Sequence, residues 1–196
     1  MGSEWLAVVE LLKMLALDLR TGVLIVLLVA AALIDTKSNR IPNWLVFGGA
    51  AFGIAYNAIF SVFPRDIGWL IALEGLGVGL GMLLPFYLLR AMGAGDVKLM
   101  AMVGAFLGPW HTLMAVLATF LAGGVLAIAF LLANGSLRRG LLTTFAIGRG
   151  AMLDVAAGSK PVLALDASVS AGKLPYGVAI AVGTIGYLVL KQFGIL

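Results

Sequence analysis

The sequence predicts an all-α, polytopic membrane protein with about six transmembrane helices, and three observations carry that reading. Hydrophobic residues make up 62% of the 196 and charged residues 11%, against roughly 45–50% and about 25% in soluble domains. Apolar runs near the roughly 20 residues that span a hydrocarbon core recur along the chain, and the mean hydropathy is +1.12. Lys and Arg are not clustered into a patch but fall between these runs. The chain therefore reads as one integral membrane domain over 1–196. Its spans are helical, because an apolar segment in lipid must satisfy its own backbone.

Residues 1–13 carry Glu4, Trp5, Glu10 and Lys13 with no single charged face, and read as an interfacial lead-in. The uncharged run Thr21 to Ile34 is the first span. It is followed by further equally apolar runs and preceded by no basic n-region, which sets it apart from a signal peptide. After the polar stretch Asp35 to Asn43, Pro42 disfavours helix at the residue before it and Asn43 is a candidate N-cap. The second helix then runs from Trp44 to about Val62. A turn at Phe63 to Asp66 leads to the third, Ile67 to Leu89, where Gly75, Gly77, Gly79 and Gly81 give two overlapping GxxxG spacings suited to close helix approach. Glu74 within it reads as interfacial or hydrogen-bonded to a neighbouring helix.

The fourth apolar run, Val97 to Leu107, is too short to span alone and is expected to be tilted or buried among its neighbours. A fifth extends from Trp110 to about Ala133. Residues 134–173 hold Arg138, Arg139, Arg149, Lys160 and Lys173 without a helical stripe, and read as a loop with an interfacial piece. The sixth span begins at Leu174-Pro175-Tyr176-Gly177, with proline suited to a first helical turn. If six spans alternate, nine basic residues share one side with the loops after spans one, three and five, and four lie opposite. That asymmetry places the nine in the cytoplasm, together with Asp35 and Asp96.

Two carboxylates at one membrane face suggest proton chemistry. A close pair cannot readily ionise both members, so one proton is shared near neutral pH. The ionised member then takes a proton from an attacking water, while the protonated one hydrogen-bonds a carbonyl and later protonates the leaving amine. Gly93 and Gly95 beside Asp96 offer either positive φ or close approach. If Asp96 enters the fourth helix, that helix's N-terminus favours its anion and the base role. Lys98, two residues on, is expected on the other face as a headgroup contact. No metal or cofactor is called for. Cysteine is absent and His111 is the only histidine, which excludes thiolate sites, a cysteine nucleophile and a histidine-rich metal centre.

The stretches IDTKSNRIPNWL (34–45) and MGAGDVKLMAMVGAFLG (92–108) resemble the prepilin peptidases, intramembrane aspartyl proteases of the GxGD type. The KLPYG at 173–177 is similar to the Pro-aromatic-Gly opening of that family's last helix. The resemblance implies that Asp35 and Asp96 are the catalytic pair, that Gly93, Gly95, Lys98, Pro42 and Asn43 support them, and that Pro175, Tyr176 and Gly177 lie near substrate. It also implies a prepilin partner, with a basic leader and a hydrophobic N-terminal helix, cut at the cytoplasmic face of the bacterial inner membrane. Larger members carry a cysteine-rich insertion after the first span and methylate the new N-terminus. Here the loop is short and cysteine is absent, so the chain is similar to the short form associated with Tad/Flp-type pili, without methyltransferase activity.

An archaeal preflagellin peptidase is the neighbouring alternative. A proton-coupled transporter is the alternative from another class, since membrane acids beside glycine-broken helices also titrate during alternating access. Transporters place such acids near mid-membrane and carry internal repeats; here both acids lie at one face and no repeat is found. A nucleic-acid partner is not expected from dispersed basic residues; the lipid bilayer is.

Overall fold

The computed structural model describes residues 19–60, 68–89, 92–133 and 176–194. The described residues form six α-helices: α1 Leu19–Ser38, α2 Asn43–Ile59, α3 Gly68–Leu88, α4 Ala94–Leu107, α5 Pro109–Ala133 and α6 Tyr176–Gln192. Three of them are long and apolar enough to cross a membrane: α1, α3 and the Pro109–Ala129 part of α5; α6 is a shorter apolar helix. The chain is an all-helical polytopic membrane protein. It divides into two compact units, 1–123 with 175–196 and 124–174. The second contains the end of α5; everything below concerns the first. The lead-in 1–13, the turn at Phe63 to Asp66, Arg90, Pro175 and the whole of the 134–173 loop lie outside the described residues.

The first unit is built around its shortest helix. Residues Leu99 to Leu107 of α4 are all buried, with Leu99, Met100, Met102, Val103, Ala105 and Phe106 fully so. At 1.5 Å per residue this 14-residue helix is about 21 Å long, less than the hydrocarbon core of about 30 Å. Its sequence suits burial on every side, because a helix apolar all round can satisfy itself only inside a bundle. Its most extensive packing is against α3, followed by α2.

Glycine makes the α3–α4 contact possible. A Cβ at Gly75 would meet the Gly104 and Gly108 backbone, and one at Gly104 the Gly75 carbonyl. A Cβ at Gly79 would meet the Met100 carbonyl oxygen. Side chains at these positions would therefore strike main chain, which has no rotamer to change. Gly77 and Gly81 have nothing within 4 Å of a built Cβ, so only one of the two GxxxG spacings is used for packing.

Helix ends differ from expectation in ways that matter for the site. The first helix continues through Asp35 to Ser38, and Asn39 closes it in a left-handed conformation at φ 48° with its amide bonded to the Asp35 carbonyl at 2.8 Å. Asparagine tolerates that conformation at a helix end. Asn43 is not the N-cap of α2: Pro42, extended at φ −69° and ψ 136°, holds that position without a side-chain cap bond, and Asn43 is the first helical residue. Its amide oxygen is engaged elsewhere, as described below. The second helix stops at Ile59 rather than Val62. Glu74 is exposed on α3.

Candidate functional site

Asp35 lies in the last turn of α1 and is 6% exposed; Asp96 lies in the first turn of α4 and is 8% exposed. Both line one cavity of about 350 Å³, walled by the α1–α2 connection (Asn39, Arg40, Ile41), Asn43, the run Gly93 to Asp96, and Lys98. A span that ends and a buried helix that begins thus meet at one end of the bundle, which is how residues far apart in sequence come to share a pocket. Burying one carboxylate without a partner costs several kcal/mol; here there are two.

Each carboxylate takes one backbone amide. Gly93 donates to Asp96 Oδ2 at 3.1 Å, one arm of a capping box in which the residue three on from the N-cap reaches back to it. Gly177, at the start of α6, donates to Asp35 Oδ2 at 2.9 Å. A Cβ at residue 177 would sit 2.8 Å from that oxygen and 3.1 Å from Asp35 Cγ, so a glycine is what lets the amide reach.

Asp96 precedes the apolar run 97–107 and lies outside the three candidate spans. Burial first, and then the charge of Asp35, outweigh the Gly93 amide and push its carboxyl from 3.8 up to about 6. Desolvation and a like charge thus exceed the favourable end of α4, which sequence reasoning expected to favour the Asp96 anion. The pair can hold a proton within the range where general acid catalysis works.

The supporting residues are brought together, though not all in the expected way. Lys98 lines the same cavity as Asp96 rather than facing away from it. Its Nζ donates to Asn43 Oδ1 at 3.1 Å and lies 5.5 Å from the Phe47 ring centroid. Gly95 has no positive φ; among the described glycines only Gly108 and Gly194 do. What Gly95 permits is approach, since a Cβ there would sit 3.3 Å from Ile41 Cβ. Tyr176 opens α6 and is 38% exposed. Pro175 lies outside the described residues.

Asn39, Arg40 and Ile41 are cavity residues that sequence reasoning did not single out. The available signal was their position between Asp35 and Pro42, in a connection too short to leave the first carboxylate. The contact of Gly177 with Asp35, 142 positions apart, had no local signal at all.

These features define a class: a helical membrane protein with two buried carboxylates on one end-on cavity. The model of the type IV leader peptidase family matches residues 22–128, more than half of the chain and inclusive of both aspartates, and the chain belongs to that family. It is accordingly a membrane protease. Comparison with curated proteins and with solved structures gives no match.

Proposed function

We propose that this chain is an aspartyl endopeptidase of the GxGD type that removes the leader peptide of type IV prepilins of the Flp/Tad kind, with Asp35 and Asp96 as its catalytic pair. The single observation that carries this reading is the presence of both buried carboxylates on one cavity. One ionised carboxylate takes a proton from the attacking water; the other, protonated, hydrogen-bonds the scissile carbonyl and then protonates the leaving amine. Neither step needs a covalent enzyme intermediate. The short Asp35–Pro42 interval and the absence of cysteine favour a peptidase without methyltransferase activity.

The site faces the cytoplasm of a bacterial inner membrane in this reading, supported by the nine-to-four distribution of basic residues. The whole chain, 1–196, acts as one peptidase domain, with 134–173 as its cytoplasmic loop. The test is to incubate the purified protein with a Flp-type prepilin and measure the product mass. Wild type should yield the shortened pilin, and Asp35→Asn and Asp96→Asn should each lose at least about 10²-fold in rate while still inserting into membranes. Near-wild-type turnover by either variant would remove the pair from the mechanism.

A further inference from the structure

Asp35 occupies an unfavourable place for an anion. It lies in the last turn of α1, where unpaired helix carbonyls give the negative end of the dipole. Its ionised form therefore depends on donors from outside its own helix. Gly177 supplies one from the opposite kind of helix end, the first turn of α6, at 2.9 Å and buried. The bond to Asp96 is longer, part-buried and comes from the residue next to its own helix. A buried bond in low dielectric is the stronger of the two.

We infer that Gly177 is a positioning residue for the proposed hydrolysis: its amide, admitted against Asp35 only because residue 177 has no side chain, holds that carboxylate aimed into the cavity. Asp35 is then the base and Asp96 the proton donor. This assignment rests on the aspartyl peptidase reading above. Among the described residues, the charged groups around Asp35 are Asp96 and Lys98 from α4 and Arg40 from the α1–α2 connection, all on the cavity wall, with Lys37 exposed on its own helix. From α6 the nearest titratable group is Tyr176, adjacent to Gly177. The high proton affinity of Asp96 agrees with this division of roles.

Two measurements on the full-length protein decide the matter. The first is a thermal-stability cycle in detergent with Gly177→Ala, Asp35→Ala and the double variant. A methyl at 177 meets only Asp35 side-chain atoms at its three closest approaches, so Gly177→Ala should lower Tm in wild type and lower it less once Asp35 is truncated, because alanine keeps only the Cβ among those three atoms. Additive losses, or a double variant that fails to fold, would overturn the inference. The second is the steady-state kinetics of prepilin cleavage. Misaiming one reacting group costs about 10²-fold in the chemical step, so Gly177→Ala should lower kcat about 10²-fold and leave KM within about twofold.

Gly183→Ala is the control, because a Cβ there strikes the Thr119 backbone, not Asp35. It should lower Tm with kcat unchanged. A Gly177→Ala variant that keeps the wild-type kcat would mean that the glycine serves packing only. If wild type cleaves no prepilin, the parent reading fails instead, and the stability cycle still reports on the Gly177–Asp35 contact.

Discussion

Lys98 Nζ donates to Asn43 Oδ1 at 3.1 Å, joining α4 to the first residue of α2 on the wall of the cavity that holds both aspartates. The bond explains why asparagine at position 43 is not spent on capping its own helix. Because it is exposed, it should contribute only about 1 kcal/mol, or roughly 2–4 °C in Tm for a chain of this size. Asn43→Ala and Lys98→Met should each lose about that much, and the double variant little more. Fully additive losses would mean that the two side chains act separately.

Gly79 and Gly95 should part company on substitution with alanine. At Gly79 the gain of up to about 1 kcal/mol in helix propensity is outweighed by a methyl group driven against the Met100 carbonyl, for a net loss above about 2 kcal/mol. At Gly95 the methyl meets the Ile41 side chain at 3.3 Å, which can yield by tenths of an ångström. Gly95→Ala should therefore keep its stability within about 1 kcal/mol and lose cleavage about tenfold, because Ile41 and Gly95 both wall the cavity. Cleavage rates beside melting curves in detergent check both; equal losses at Gly95 would assign it to packing.

Stability should fall as pH rises from about 4 to about 6, and Asp96 should be the reason. Its folded carboxyl titrates at about 6 rather than 3.8, so the native state binds more protons than the unfolded chain in that window, and the contribution is fully present below it and lost as pH rises through it. The whole effect is at most ~3 kcal/mol. Melting temperatures of wild type and Asp96→Asn across pH 4–7 should diverge in slope, with the variant flatter. Parallel curves would contradict the shift.

The topology prediction uses the absence of native cysteine. Ser38 is exposed at the end of α1, one turn beyond Asp35. A cysteine introduced there should be labelled only from the cytoplasmic side. Reaction with an impermeant reagent added outside intact cells would reverse the orientation and move the site to the other face of the membrane.

The helices and their class were legible because lipid imposes a coarse rule: apolar runs of spanning length become helices, while the shortness of the fourth run left two outcomes, tilt or burial, of which the structure shows burial. Within one GxGD stretch the sequence also located a carboxylate at a helix start. What it could not convey was anything decided by contact. The direction of the Asp96 shift depends on burial and on Asp35, neither of which is local to residues 93–96. The role of Asn43 depends on Lys98, and the place of Gly177 on Asp35. Gly77 and Gly79 look alike in the chain, yet one has open space and the other the Met100 backbone. Of the two possibilities for Gly95, positive φ or close approach, the structure takes the second, because an ordinary helical start brings residue 95 against Ile41.

The sheathing of α4 has a consequence for how the protein meets different membranes. Helices in contact with lipid tilt or stretch to match bilayer thickness, but Leu99 to Leu107 are buried and α4 touches protein on all sides. The depth of Asp96 is set by glycine contacts with α3, as a bolt is set by its housing. Changes in acyl-chain length therefore reach Asp96 only through the helices packed around α4, whereas Asp35 sits on α1, one of the helices long and apolar enough to span the bilayer.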